Sequence, residues 1–104
     1  MTHHGGIASS LRHGRQLNVK LLQPLVIPAD RVAQLWALPK DGSPAFALGV
    51  VKAGGPTTLT LSDSSEKLFF TVGRLAVSLE PAAARPGDVP SGAFVLSGHC
   101  VKLW

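Results

Sequence analysis

Tyrosine is absent from this chain, cysteine occurs once, at Cys100, and charged residues fill only 15% of the 104 positions. A single cysteine excludes an internal disulfide. Sparse charge beside 45% apolar residues excludes a disordered composition. The four Phe and two Trp sit in apolar runs and not among basic residues, which argues against a nucleic-acid interface. The net charge of +4 does not restore that reading. Arg12, Arg15 and Lys20 precede the first acid, Asp30, and the seven later cations meet six acids. No apolar run is long enough to span a bilayer, and the first twenty residues lack the apolar stretch of a secretion signal. Strong helix formers are scarce on the polar side, with two Glu, five Lys and one Met. Val, Thr, Leu, Gly and Pro dominate instead and favour short strands joined by turns.

The order of those residues agrees. Residues 1–16, "MTHHGGIASSLRHGRQ", are polar and aperiodic and are expected to form a flexible N-terminal segment. A single domain is expected over 17–104. Leu17, Val19 and Leu21 alternate with Asn18 and Lys20, the period of a strand. Pro24 interrupts before "LVI", which places "LNVKLLQPLVI" at or near a sheet edge. "VAQLWALP", 32–39, is apolar on both alternating faces, as a central strand covered on two sides would be. "KDGSP" is a turn signal, and "AFALGVVK", 45–52, returns as a hairpin partner. "TTLTL", 57–61, reads with Thr outward and Leu inward. "SDSSEKLFF", 62–70, is the one helical candidate, with Asp63 and Glu66 spaced as a capping box, and suffices for a single turn. "GRLAVSLEP" puts Leu75, Val77 and Leu79 on one face. After the Pro/Gly loop 82–92, "AFVLS" and "CVKLW" end the chain as one strand bent at Gly98 or as two. The expected fold is all-β: an antiparallel, immunoglobulin-like β-sandwich of six to seven short strands.

Catalytic and metal-binding patterns are not assembled. His3, His4 and His13 lie in the front segment, and His99 adjoins Cys100. Neighbours on a strand point to opposite faces, so His99 and Cys100 cannot work as base and nucleophile, and Cys100 reads as a small buried apolar residue. No Cys/His ligand spacing, nucleophile elbow or phosphate loop occurs. The expectation is no enzyme, no metal and no cofactor.

Three stretches, in order, carry a resemblance. "AQLWALPKDGSPAFALGVV" contributes Leu35, Trp36, Gly42, Pro44, Leu48 and Gly49. "GRLAVSLEP" contributes Ser78, Leu79, Glu80 and Pro81, and "VPSGAFVLSG" contributes Pro90 and Gly92. Together they resemble the C-terminal domain of the anti-sigma-K factor family over roughly residues 17–103. Gln34 stands where the family reads Glu. The resemblance implies the extracytoplasmic part of a membrane-anchored regulator of transcription. In such a protein a separate cytoplasmic domain binds a sigma factor, and signal-triggered proteolysis releases it. On that resemblance, residues 1–104 are expected to hold neither that domain nor the membrane segment. The partners so implied are a sigma factor, a membrane anchor and a protease, and a homo-oligomer is compatible with them. A periplasmic or cell-surface location follows.

Physics gives Glu80 a role of its own. It ends a strand before Pro81 and a long loop, where its carboxylate is expected to accept backbone N–H groups of residues 82–92. Trp36 reads as core. The alternative is a small ligand- or carbohydrate-binding β-sandwich module using Trp36 or Trp104, which would require those rings to be exposed.

Overall fold

The computed structural model describes residues 6–12, 16–23, 25–40, 42–53, 55–60, 72–85 and 88–103. They contain seven strands and no helix: β1 Ile7–Arg12, β2 Gln16–Leu21, β3 Val32–Pro39, β4 Phe46–Val51, β5 Thr57–Thr60, β6 Val72–Glu80 and β7 Leu96–Leu103. The helical turn expected over 62–70 lies outside the described residues, as do His3, His4, His13 and Trp104.

The strands form two layers. One runs β4-β3-β6-β7 and the other β1-β2-β5. This is the arrangement of an immunoglobulin-type sandwich in which a seventh strand, here β4, joins the C-F-G sheet beside C. β3 is central, paired antiparallel to β4 and β6, and both its faces are buried, as the continuous apolar run anticipates. β2 lies one strand in from the edge, between β1 and β5.

Alternation along each strand sets the core. Ala33, Leu35 and Ala37 of β3 and Leu75 and Val77 of β6 face Ile7, Leu17 and Val19 of the opposite layer. Leu17, Leu35 and Leu75 are wholly buried, each contributing about 1.5–3 kcal/mol relative to an exposed side chain.

Residues 7–12 correct the expectation of a flexible front. They pair with β2 from Ile7↔Leu21 to Arg12↔Gln16 and with β7, in parallel, from Ser9↔Cys100 to Arg12↔Leu103. Ladders on both sides hold a segment whose side-chain pattern is too polar to announce a strand. Three smaller corrections follow. Leu25–Ile27 is not a strand, although Leu25 and Ile27 pack partly on the core. Ala93–Val95 also lies outside a strand. Thr57 points inward, because it shares a face with Leu59, and its hydroxyl accepts the Lys52 amide at 3.1 Å.

The C-terminal residues form one strand shared by the two layers. Its first half pairs with β6, from Val77↔Leu96 to Arg74↔His99, and its second half with β1. Gly98 makes the crossing feasible: a β-carbon there would collide with the backbone carbonyl of Ile7.

Candidate functional site

The outer face of the β3–β6 pair carries Gln34 and Trp36 from one strand and Ala76, Ser78 and Glu80 from the other. An outer sandwich face is ordinarily solvated, but here it is covered. Trp36 and Ser78 are fully buried, Gln34 is 1% exposed and Glu80 6%. The cover is the loop that leaves β6 at Pro81.

Polar groups placed under cover need partners, and these have them. The Trp36 indole Nε1–H donates to Ser78 Oγ at 2.8 Å. Ser78 Oγ donates in turn to Glu80 Oε2 at 2.5 Å. Ser91 closes the chain from the loop side: its amide donates to Glu80 Oε2 at 3.2 Å and its hydroxyl to Oε1 at 2.5 Å. A second fastening lies at Gln34, whose Oε1 accepts the Ala84 amide at 2.8 Å. Gln34 Nε2 donates the other way, to the Gly49 carbonyl of β4 at 2.9 Å. The loop is thus held at Ala84 and at Ser91, and the first of these ties is continuous with the edge strand.

Burial alone would push the Glu80 carboxyl above its ordinary value. The hydrogen bonds from Ser78 and Ser91, aided by the charge of Arg31, outweigh that effect and hold it below. Glu80 is therefore an ionised, hydrogen-bonded carboxylate at neutral pH.

Between loop and sheet is a cleft of about 480 Å³. Trp36, Glu80, Ala84, Arg85, Asp88 and Val89 are among its walls. Asp88 shapes the rim by accepting the Arg85 amide at 2.8 Å. Among the described residues no three His, Cys, Asp or Glu side chains converge on a metal position. The donors to Glu80 are the hydroxyls of Ser78 and Ser91 and the Ser91 amide. This arrangement clamps a loop.

The residues singled out from sequence distribute around this clamp. Trp36, Ser78 and Glu80 form its axis, and Pro81 starts the loop. Pro90 and Gly92 flank Ser91. Leu35 is in the main core and Leu79 packs half-buried against it. Leu48 and Gly49 sit at a register shift in the β3–β4 pairing: Leu35 faces Gly49, Trp36 faces Ala47, and Leu48 is the extra, bulged residue. Gly49 has φ +157, and a β-carbon on it would lie 3.1 Å from a Leu59 methyl. Gly42 and Pro44 belong to the exposed turn at the far end of the sheet and take no part. The loop-anchoring role expected of Glu80 involves one backbone amide, with two hydroxyls that the sequence did not identify. Gln34, Ala84 and Ser91 were missed as partners. The signal for Gln34 was a lone amide side chain in phase with Trp36 on an apolar strand. Ser91, enclosed by two noted residues, offered only the turn chemistry of Pro-Ser-Gly.

A family profile described as Anti-sigma-K factor rskA, C-terminal, matches residues 2–94, which include β1 to β6 and the clamped loop. No curated protein and no solved structure matches the chain.

Proposed function

The chain belongs to the anti-sigma-K factor C-terminal family, and from that membership we propose that it is the extracytoplasmic, non-catalytic domain of a membrane-anchored anti-sigma factor. Its role is regulatory, and a sigma factor is the partner that the family implies for the full-length protein. In this reading the sigma factor is held by a separate cytoplasmic domain, and the sandwich governs when a protease reaches the anchor. No helix among the described residues is long and apolar enough to cross a membrane, so the reading assigns the anchor to a separate segment.

The observation that carries the non-catalytic reading is the internal use of Trp36 and Glu80. Among the described residues they are an indole and a carboxylate suited to bind a sugar or to do acid–base work, yet Trp36 is bonded to Ser78 inside the sheet and Glu80 holds Ser91 of the protein's own loop. A carbohydrate module would display the indole as a platform, whereas Trp36 is 0% exposed.

The test is a pair of reporter fusions placed after Trp104 in the full-length protein in its host. An alkaline phosphatase fusion should be active and a green fluorescent protein fusion exported by the general secretory route should be dark. The opposite pair of results overturns the placement. In the same strain, replacing residues 7–103 by an unrelated sandwich should preserve basal repression of a sigma-dependent promoter and alter its response to signal.

A further inference from the structure

The register of the strands sorts the connections into two ends. Ile7 pairs with Leu21, Val32 with Glu80, Ala33 with Val51, and Val77 with Leu96. The connections 22–31, 52–56 and 81–95 therefore share one end of the sandwich. Gly6 is there too, bridged to Ser97 and accepting the Leu22 amide at 2.7 Å.

That end is unusually apolar for loops. Of the six large apolar residues exposed among the described ones, Leu22, Val26, Val89, Phe94 and Val95 lie on its connections, and the sixth is on the edge strand β4. Val26 is 85% exposed while its neighbours Leu25 and Ile27 turn toward the core, so the segment presents Val26 as a tip. The described part of the 40–45 connection, at the other end, exposes Lys40, Gly42, Ser43 and Pro44 and no large apolar side chain. Around the apolar tips stand four exposed cations, Lys20, Arg31, Lys52 and Arg85, against two exposed acids, Asp30 and Asp88.

We propose that this end of the sandwich rests on a lipid surface, its apolar tips among the headgroups and its basic rim on their phosphates. Apolar tips ringed by Lys and Arg match the interface of an anionic bilayer, where apolar burial and charge attraction add. The path of the chain agrees: residue 6 enters at this end, so a membrane segment N-terminal to it would bring the same end to the bilayer. That clause rests on the anchored reading above; the surface chemistry does not. A second copy fits less well. A two-fold pairing would bring the two basic rims together.

The test tethers the 104-residue chain by an N-terminal hexahistidine to vesicles containing nickel-chelating lipid, in phosphatidylglycerol or in phosphatidylcholine, and follows amide exchange. Exchange at 22–31 and 92–95 should slow on phosphatidylglycerol, while 42–45 keeps its solution rate. Leu22→Asp with Val26→Asp should abolish the slowing and leave exchange in β3 and β6 unchanged. Without the tether, flotation with phosphatidylglycerol vesicles should fall by about tenfold or more in that variant, since one buried methylene shifts partitioning about fourfold. Solution rates at both ends on tethered vesicles overturn the proposal. So does protection that follows protein density and persists without lipid, which identifies a second copy. Equal slowing on phosphatidylcholine overturns the part given to the basic rim. Vesicles do not report sidedness, so a cytoplasmic result in the reporter fusions would sink the functional reading and leave this one standing.

Discussion

Ser91 meets Glu80 twice, its amide 3.2 Å from one carboxylate oxygen and its hydroxyl 2.5 Å from the other. The pair joins the end of β6 to the far side of the loop that leaves it. Since Ser78 also donates to Glu80 and accepts from Trp36, one carboxylate organises the covered outer face of the sheet.

Removing that carboxylate should loosen the loop without unfolding the sandwich. Glu80→Ala leaves the buried Ser78 hydroxyl without its acceptor, at about 1–3 kcal/mol, and releases the amide and hydroxyl of the exposed Ser91 to water. Glu80→Gln keeps the shape and an acceptor oxygen and should cost less. Urea unfolding gives the order of stabilities, and amide exchange should quicken at residues 88–91 in both variants. Equal midpoints for wild type and Glu80→Ala would refute the clamp.

Acid should weaken the clamp in a defined direction. The folded carboxyl titrates below its ordinary value of 4.5. The stability it contributes is therefore complete above that value and is lost as pH falls through the folded pKa. Melting temperatures of wild type and Glu80→Gln, compared from neutral pH downward, should converge below about pH 4.5. Parallel curves over the whole range would assign no linkage to Glu80.

Trp36 contributes both bulk and a hydrogen bond, and two substitutions separate them. Trp36→Ala should cost on the order of 3–5 kcal/mol, as large-to-small changes at buried aromatics do. Trp36→Phe retains most of the apolar contact and removes the donor to Ser78, for about 1–2 kcal/mol. Chemical denaturation measures each; a near-neutral Trp36→Ala would mean that the ring is not a packing element.

Two glycines of the motif should behave oppositely. At Gly49, φ is +157 and a β-carbon would press on Leu59 at 3.1 Å, whereas at Gly92 nothing lies within 4 Å. Gly49→Ala should destabilise by about 1–3 kcal/mol through backbone strain and crowding at the bulge. Gly92→Ala should stay within about 0.5 kcal/mol of wild type. Thermal melts of the two variants, side by side, decide the matter.

The strands with clean alternation were readable from residues alone. Leu17-Val19-Leu21 and Leu75-Val77-Leu79 needed only period two, and "VAQLWALP" announced a strand covered on both sides. The nature of the second cover was not readable: a loop rich in Pro, Gly and Ala carries no periodicity, and its fastening to Gln34 and Glu80 is long-range. β1 was hidden for a related reason. Ile7 apart, its described core-facing partner is Ser9, and what fixes it is backbone pairing on two sides, which leaves little trace in side-chain pattern. Glu80 was legible as a loop anchor because position and chemistry agreed; Ser91 was not, since one hydroxyl among several serines has no distinguishing neighbour in sequence.

The parallel pairing of β1 with β7 has a mechanical consequence. Residue 6 is at one end of the sandwich and residue 103 at the other, and the two strands they belong to lie side by side. Tension applied between these points runs along both strands in opposite senses. It loads the four pairs from Ser9↔Cys100 to Arg12↔Leu103 together, in shear, instead of opening them one after another. β7 is also bonded to β6 over Leu96–His99, so the pull reaches the second layer through the same strand. Force directed along this axis is therefore borne by the ladders of the strand that the two layers share.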